Sequence, residues 1–557
     1  MTVISRSAIL LAAAFVSSPA YACGGFFCSQ VPVDQDAERI VFAYDSITGT
    51  IETNVQIFYT GEAADFAWVV PVAELPEIFI STDALFDNLA VYTAPTFYAQ
   101  WDSTGECEYG YYSGAAEDAA FSSSSSAPPS VQIIETQKVG PYEVVTLQAS
   151  TSDALVTWLE DNDYDLPDGL DPLLAPYVAG NAYFIALRLA NGFDTGDIAP
   201  LGFRYAGDRP QIPIQLTSIA ASPDMRLEVY VFGDSRAVPE SYLHVQINEA
   251  AIDWTSGGMN YEDVVSLAAN EAGGHGFATD MAGPAADWAW LLPSDFNLSE
   301  MYVANGPVAW FAELQNAGVP ANDATLAVLK RQIPMPAEVA AMGVTDTDFY
   351  NCLDCYAEYL GGVDFDAILA TDDIAISVTD PIEHAQDLFE RHHWLSRMTS
   401  SLDAVEMTVD PVFVFNPTME EVSQEHTATI VTDCGSGGSW YDSIRKVVLS
   451  DGREVYYPSQ QWLDDNGMTV ADWLLTWGLN AASIIEQTNA TGSPEVQFDL
   501  GASGDPSLDE LNDWVLSTAG LDAEEAQGCG CESSSSPVGG LMLVVGSALG
   551  LRRRRTV

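Results

Sequence analysis

The sequence predicts an α+β protein with a largely antiparallel sheet and packed helices. Near the start, apolar residues alternate as Ile40, Phe42 and Tyr44, then Val55, Ile57 and Tyr59, about a polar break at Asp45-Ser46-Ile47-Thr48-Gly49. Period-two alternation on both sides of such a break is a hairpin signal. Further on, Leu155, Trp158 and Leu159 recur at helical spacing. The composition supplies a core: 48% of the chain is hydrophobic and 11% aromatic, with 13 Trp. Disordered chains lack that content.

The elements follow in chain order. Residues 39–59 form the hairpin, and Phe66–Val72 a short apolar strand ended by Pro71, because proline cannot donate to a ladder. Ser152-Asp153 caps a helix running through Asn162. Ala182–Leu189 and Met225–Phe232 read as strands, and Ile382–Ser400 as a longer helix. The stretch between Cys107 and Ser130 contains Ser122–Ser126 and Pro128-Pro129, and reads as a mobile surface loop joining a long hairpin. Asn489–Asp505 reads as a linker, and Leu508–Leu521 as a last short helix.

One internal echo raises a duplication. Gly61-Glu62-Ala63-Ala64-Asp65-Phe66-Ala67-Trp68-Val69-Val70-Pro71 matches Gly283-Pro284-Ala285-Ala286-Asp287-Trp288-Ala289-Trp290-Leu291-Leu292-Pro293. It predicts two related halves, 23–240 and 241–430, each with a Trp-bearing strand that stops at proline.

Both ends carry export signals. Arg6, the apolar run Ala8–Val16 and the small-x-small site Ala20-Tyr21-Ala22 make residues 1–22 a secretory signal peptide, cut between Ala22 and Cys23. Cys23 also raises a lipoprotein alternative, although Ala20 and Tyr21 depart from a lipobox. At the other end stand Cys529-Gly530-Cys531, the spacer Ser533–Ser536, a short apolar segment 537–551 and Arg552, Arg553, Arg554 and Arg555. The apolar segment is shorter than the ~20 residues of an ordinary span, and the arginines read as a cytoplasmic stop. The tail 528–557 resembles the myxobacterial C-terminal sorting signal (MYXO-CTERM). That resemblance implies cleavage near Cys529 or Cys531 by a sorting protease, and display at the cell surface. A plain tail anchor and a local Cys529–Cys531 disulfide are the alternatives. Mass spectrometry of the mature protein would locate both ends and any lipid.

Charge limits the partners. The chain has 19 Lys plus Arg against 80 Asp plus Glu, a formal net charge of −61, and its lysines are Lys138, Lys330 and Lys446. Phosphate binding needs clustered cations, so nucleic acid is excluded as a partner. Export machinery, signal peptidase, a sorting protease and the membrane are the partners expected. The acidity suits a saline medium, and calcium is the one cofactor it raises. Asp161-Asn162-Asp163-Tyr164-Asp165 imitates an EF-hand start, but Leu166 and Pro172 stand where that loop needs Gly and Glu.

Eight cysteines fit an oxidising compartment. Cys23 and Cys28 flank a tight loop, Cys352 and Cys355 form a C-x-x-C, and Cys107 with Cys434 completes the ectodomain set. Asp354 and Glu358 beside the C-x-x-C would raise a thiol pKa, which favours a structural disulfide over redox chemistry. A zinc site has no second C-x-x-C to complete it.

No P-loop, G-x-S-x-G elbow, H-E-x-x-H or dinucleotide fingerprint occurs. His384, His392 and His393 fall on the expected long helix with Glu383 and Glu390. His384 and His392 are two turns apart, too far to chelate one ion. His275 lies alone in a glycine-rich loop. No residue is therefore assigned a catalytic, cofactor-binding or metal role.

A second resemblance rests on several motifs. These are Ala22-Cys23-Gly24-Gly25-Phe26-Phe27-Cys28, Gln35-x-x-Glu38-Arg39-Ile40, Asp65–Pro71 and Trp158-Leu159 with Asn162-x-Tyr164-x-Leu166-Pro167. Gly180–Leu187, Leu395-Ser396-Arg397-Met398 and Met407–Phe413 continue it. Together they resemble the domain of unknown function 2330 family over residues 23–430. The resemblance implies a secreted or surface bacterial protein and no assigned activity. Residues 431–527 then read as an added segment and linker. Length alone predicts two to four domains.

The expected function is a secreted, cell-surface-anchored acidic protein with a non-catalytic structural, adhesive or binding role. An extracellular hydrolase without a recognisable motif is the alternative, and a calcium-stabilised surface domain a third. A deep cleft with histidine beside acid would favour the enzyme, and flat aromatic patches the adhesin.

Overall fold

The computed structural model describes residues 37–56, 67–105 and 132–521, apart from 163, 165, 167–168, 191–192, 194–196, 220 and 436–438. The predicted hairpin is present as β1 (Ala37–Asp45) and β2 (Thr50–Val55), paired antiparallel about the 45–49 turn. Next come β3 (Ala67–Val72), β4 (Glu77–Ile80), β5 (Thr96–Gly105), β6 (Gln132–Val139), β7 (Tyr142–Gln148), β8 (Tyr183–Leu189), β9 (Leu201–Ala206) and β10 (Met225–Gly233). Short β11 (Ala237–Pro239) precedes β12 (Leu243–Ile247), β13 (Gly276–Pro284), β14 (Trp394–Leu402) and β15 (Phe413–Phe415). The last strands are β16 (Glu425–Gly435), β17 (Arg445–Leu449), β18 (Glu454–Tyr457), β19 (Ala482–Gln487) and β20 (Glu495–Asp499).

Ten strands form the central sheet in the order β20-β19-β12-β13-β14-β10-β1-β2-β9-β4. Only β1/β10 and β12/β13 are parallel in it, so the α+β class with mostly antiparallel pairing holds. One face packs on the antiparallel sheet β3-β8-β7-β6 through Phe42, Trp68, Leu187, Phe203 and Phe277. The other face is covered by Asp83–Tyr92, Pro307–Asn316, Asp323–Gln332 and Asp380–Arg391, centred on fully buried Trp310. Helix Ser152–Asp161 buries Leu155, Trp158 and Leu159 against the second sheet, as predicted, with Thr151 as the capping residue. A third layer, β18-β17-β16-β5 with helices Tyr261–Glu271, Val470–Trp477 and Pro506–Thr518, closes over the β12–β19 end around Trp254 and Trp473.

Several expectations are corrected. The long helix Ile382–Ser400 ends at Arg391, His392 is extended, and Trp394–Leu402 becomes β14 in the middle of the sheet. Its polar residues mimic an amphipathic helix but are buried and bonded. Ser396 Oγ accepts from the Ala237 amide at 3.0 Å, and Ser400 Oγ donates to Gly276 O at 2.7 Å. Pro71 does not end its strand. It pairs opposite Phe184, tolerated because β3 is an edge strand. The echoed segments differ: Trp68 lies on β3, whereas Ala285–Leu291, carrying Trp290, is a 3-10 helix. The echo therefore does not mark a repeated strand. Nor does the stretch past Cys107 join a hairpin, since β5 and β6 belong to different sheets. The segment expected as an addition and linker, 431–527, instead contributes β17–β20 as far as it is described. β19 pairs with β12 in the central sheet, and β20 occupies part of the supposed linker 489–505.

One half-buried acid in β1 gives a pH-dependent prediction. Glu38 Oε2 is shielded and lacks a hydrogen-bond partner among the described residues. Burial pushes its carboxyl from 4.5 up to about 7. Below 4.5 the folded and unfolded chains both carry the proton, and the group is neutral to stability. As pH rises from 4.5 to about 7 the unfolded chain ionises while the fold resists, so stability is lost across that window. Glu38→Gln should match wild type at about pH 4 and exceed it by about 2 kcal/mol at about pH 8. A wild-type-to-variant difference in urea melts that does not change with pH would refute this.

Candidate functional site

β12, helix Tyr261–Glu271 and β13 form a strand–helix–strand unit with parallel strands. Its ladder ends after Val245↔Ala278. Beyond that point β12 stays with β19, while β13 stays with β14. The strands part at their carboxyl ends, where ligands bind in open sheets containing parallel strands. A cleft of about 750 Å³ opens there, between Gln246, Ile247 and Glu249 on one lip and Thr279 and Asp280 on the other.

Thr279 and Asp280 are aimed by a β-bulge. The β13/β14 register slips between Thr279 and Met281. Phe277 consequently faces the sheet-on-sheet core and Met281 the helical one; an unbulged strand would put both on one side. Thr279 shares the face of His244, and Asp280 turns to the opposite face.

The chemistry centres on His244. It pairs directly across the sheet with Glu486, and its Nδ1 lies 2.8 Å from Glu486 Oε1. Its Nε2 lies 3.0 Å from Thr279 Oγ1 and 3.4 Å from Arg236 Nη2. A guanidinium can only donate, so Nε2 carries the lone pair and the proton sits on Nδ1, donated to Glu486. His244 and Glu486 are buried, and Thr279 is half-buried on the cleft wall. Burial pushes the imidazole below its ordinary 6.5; Glu486 opposes this and Arg236 reinforces it. The result is a neutral base whose free nitrogen faces a hydroxyl.

Two further groups frame the cleft. His426 Nδ1 lies 2.8 Å from Glu249 Oε1, and its ring stacks on Phe97 with centroids 4.8 Å apart. Phe97 stands opposite His426 in the β5/β16 register. At the floor, Asp280 accepts from Tyr261 Oη at 2.5 Å, from Arg397 Nε at 2.9 Å and from Thr399. Burial raises the Asp280 carboxyl above the usual range, against the pull of Arg397 and the hydroxyls.

The residues singled out from sequence lie elsewhere. Ala22, Cys23, Cys28, Cys107, Cys529, Cys531 and Arg552–Arg555 fall outside the described residues, as does segment 537–551. Among the described residues no helix is long and apolar enough to cross a membrane. Cys352 and Cys355 are joined in a disulfide, which leaves no thiolate for a metal beside Asp354. Cys434 is disulfide-bonded to a partner outside the described residues. Asp163 and Asp165 of the calcium-like loop are also outside them. His384 reaches Glu52 at 2.8 Å from its helix, while His392 and His393 have left that helix. His275 Nε2 lies 3.1 Å from Thr408 Oγ1.

Sequence reading missed Arg236, His244, Thr279 and Glu486. They come from four separated segments with no common spacing. The available signal was Leu243-His244-Val245-Gln246-Ile247, where strict alternation puts a histidine and an amide together on one face of an otherwise apolar strand.

The molecule is thus a layered α+β protein with a histidine–acid cleft at the carboxyl ends of a parallel strand pair. It belongs to the family described as an uncharacterized protein conserved in bacteria (DUF2330), whose model matches residues 17–348. That match ends before the 430 expected; Arg236, His244, Thr279 and Asp280 lie inside it, and His426 and Glu486 beyond it. No curated protein and no solved structure matches the chain.

Proposed function

We propose that the protein is an exported, surface-displayed hydrolase that transfers an acyl group to water. The observation that carries this is the hydrogen-bonded line Thr279–His244–Glu486 opening on the cleft. Thr279 Oγ attacks a carbonyl carbon, and its proton passes to His244 Nε2. Glu486 holds the imidazole in the tautomer that accepts it and steadies the imidazolium. The leaving group takes that proton, and water, activated by the same nitrogen, releases the acyl group. The signal-like start and the Cys–apolar–Arg tail support export, and the net charge of −61 argues against polyanionic substrates.

An adhesive role has less support. Tyr98 and Trp101 are exposed on opposite faces of β5, and the exposed rings that do meet, Tyr92 and Trp290 with centroids 5.0 Å apart, stand edge to face and make no flat patch.

On a panel of ester, amide and lactam substrates, Thr279→Ala and His244→Gln should each lower kcat/KM by about 10³-fold or more, with Thr279→Ser retaining turnover. Undiminished hydrolysis by Thr279→Ala, or no turnover of any substrate by wild type, would sink the reading.

A further inference from the structure

Two arginines, Arg236 and Arg445, are buried with an idle Nε and no ion pair among the described residues, and of the two Arg236 faces the cleft. It is 5% exposed and lines the cleft. Its Nη1 donates to Glu420 O at 3.1 Å and its Nη2 faces His244, while Nε has no partner among the described residues. No carboxylate among those residues lies within ion-pair distance of it. The acids around it are otherwise engaged. Glu486 is held by His244, Asp280 by Arg397 and Glu249 by His426. A buried guanidinium with an idle donor and no counterion is costly, and of the two arginines Arg236 is the one that a ligand in the cleft can reach.

We propose that Arg236 is an anion subsite, and that the cleft takes a ligand presenting a carboxylate or phosphate oxygen beside the Thr279 hydroxyl. This rests on the cleft being the working site and deepens the hydrolase reading by naming its substrate class. A guanidinium suits either group because its donors match two oxygens at once. The 3.4 Å from Nη2 to His244 Nε2 and the 3.0 Å from Nε2 to Thr279 Oγ1 place the anion next to the reacting atoms. The ligand's charge would therefore fix the position of its neighbouring carbonyl.

The test measures binding and needs no turnover. Melting temperature is followed for the mature protein in sodium phosphate, sodium acetate and sodium chloride at matched ionic strength. Phosphate, acetate or both should raise the melting temperature by ~1–2 °C over chloride in wild type. The two salts separate the phosphate from the carboxylate source. Arg236→Gln should abolish the rise and Arg236→Lys should keep part of it. Arg445→Gln should retain it, because Arg445 is likewise buried without a carboxylate partner among the described residues but lies outside the cleft. Equal melting in all three salts, or a rise that survives Arg236→Gln, would overturn the subsite. His244→Gln should still respond to the anion. A response in that variant with no Thr279-dependent turnover in wild type would leave the subsite standing and remove the hydrolase.

Discussion

Arg397→Met is expected to destabilise the protein by about 3–5 kcal/mol at neutral pH, because it strands buried carboxylates without their cation. Arg397 is 5% exposed on β14. Its Nε donates to Asp280 at 2.9 Å, its Nη1 to Ala90 O at 2.9 Å, and its Nη2 lies 3.6 Å from Glu228. Burial opposes ionisation of Glu228, and Arg397, then Arg39 and Arg226, hold its carboxyl below the usual range; the variant leaves it Arg39 at 2.8 Å and Arg226 at 3.4 Å. Among the described residues, Asp280 then keeps only the hydroxyls of Tyr261 and Thr399. Burial already raises its carboxyl, and losing Arg397 raises it further. The sign follows: the penalty is full above the folded pKa and shrinks as pH falls through it, where Asp280 takes up a proton. Asp280→Asn in the Arg397→Met background should recover much of the loss. Urea unfolding at neutral and acidic pH checks this; a variant within about 1 kcal/mol of wild type at neutral pH would mean that water reaches the pair.

The second large effect is on catalysis and its pH dependence. A working base at His244 must be neutral, and burial with Arg236 beside it pushes its pKa below 6.5. Turnover should therefore stay flat as pH falls to 6.5 and decline only below that value. Glu486→Gln removes the group that opposes this downward shift and that fixes the Nδ1–H tautomer. The acid limb should move further down, and kcat should fall by about 10²–10⁴-fold. A limb above 6.5 in wild type, or a Glu486→Gln enzyme of normal rate, would assign the base elsewhere.

Local patterns in the sequence were legible where one segment decides its own structure. The hairpin at 45–49, the helix bearing Trp158 and the strand at 225–233 all depend on spacing within a few residues. β14 was misread because Ser396, Arg397, Thr399 and Ser400 look like a solvated face, and only distant partners reveal that they are buried. The cleft was hidden for a related reason. Its four central residues are separated by up to 250 positions, and each has an ordinary neighbourhood along the chain. The histidine that stands beside an acid in the cleft, His244, is one that spacing does not pick out.

The late arrival of β19 also sets an order of assembly. His244 and Thr279 are made by the time the chain has passed its midpoint, whereas Glu486 follows more than 200 residues later. Until β19 docks on β12, the base lacks the carboxylate that orients it, and one wall of the cleft is absent. Such distant pairing is slow to form. On the hydrolase reading, a chain still being synthesised would therefore carry its hydroxyl and imidazole unarmed, and a C-terminally truncated product would be inert.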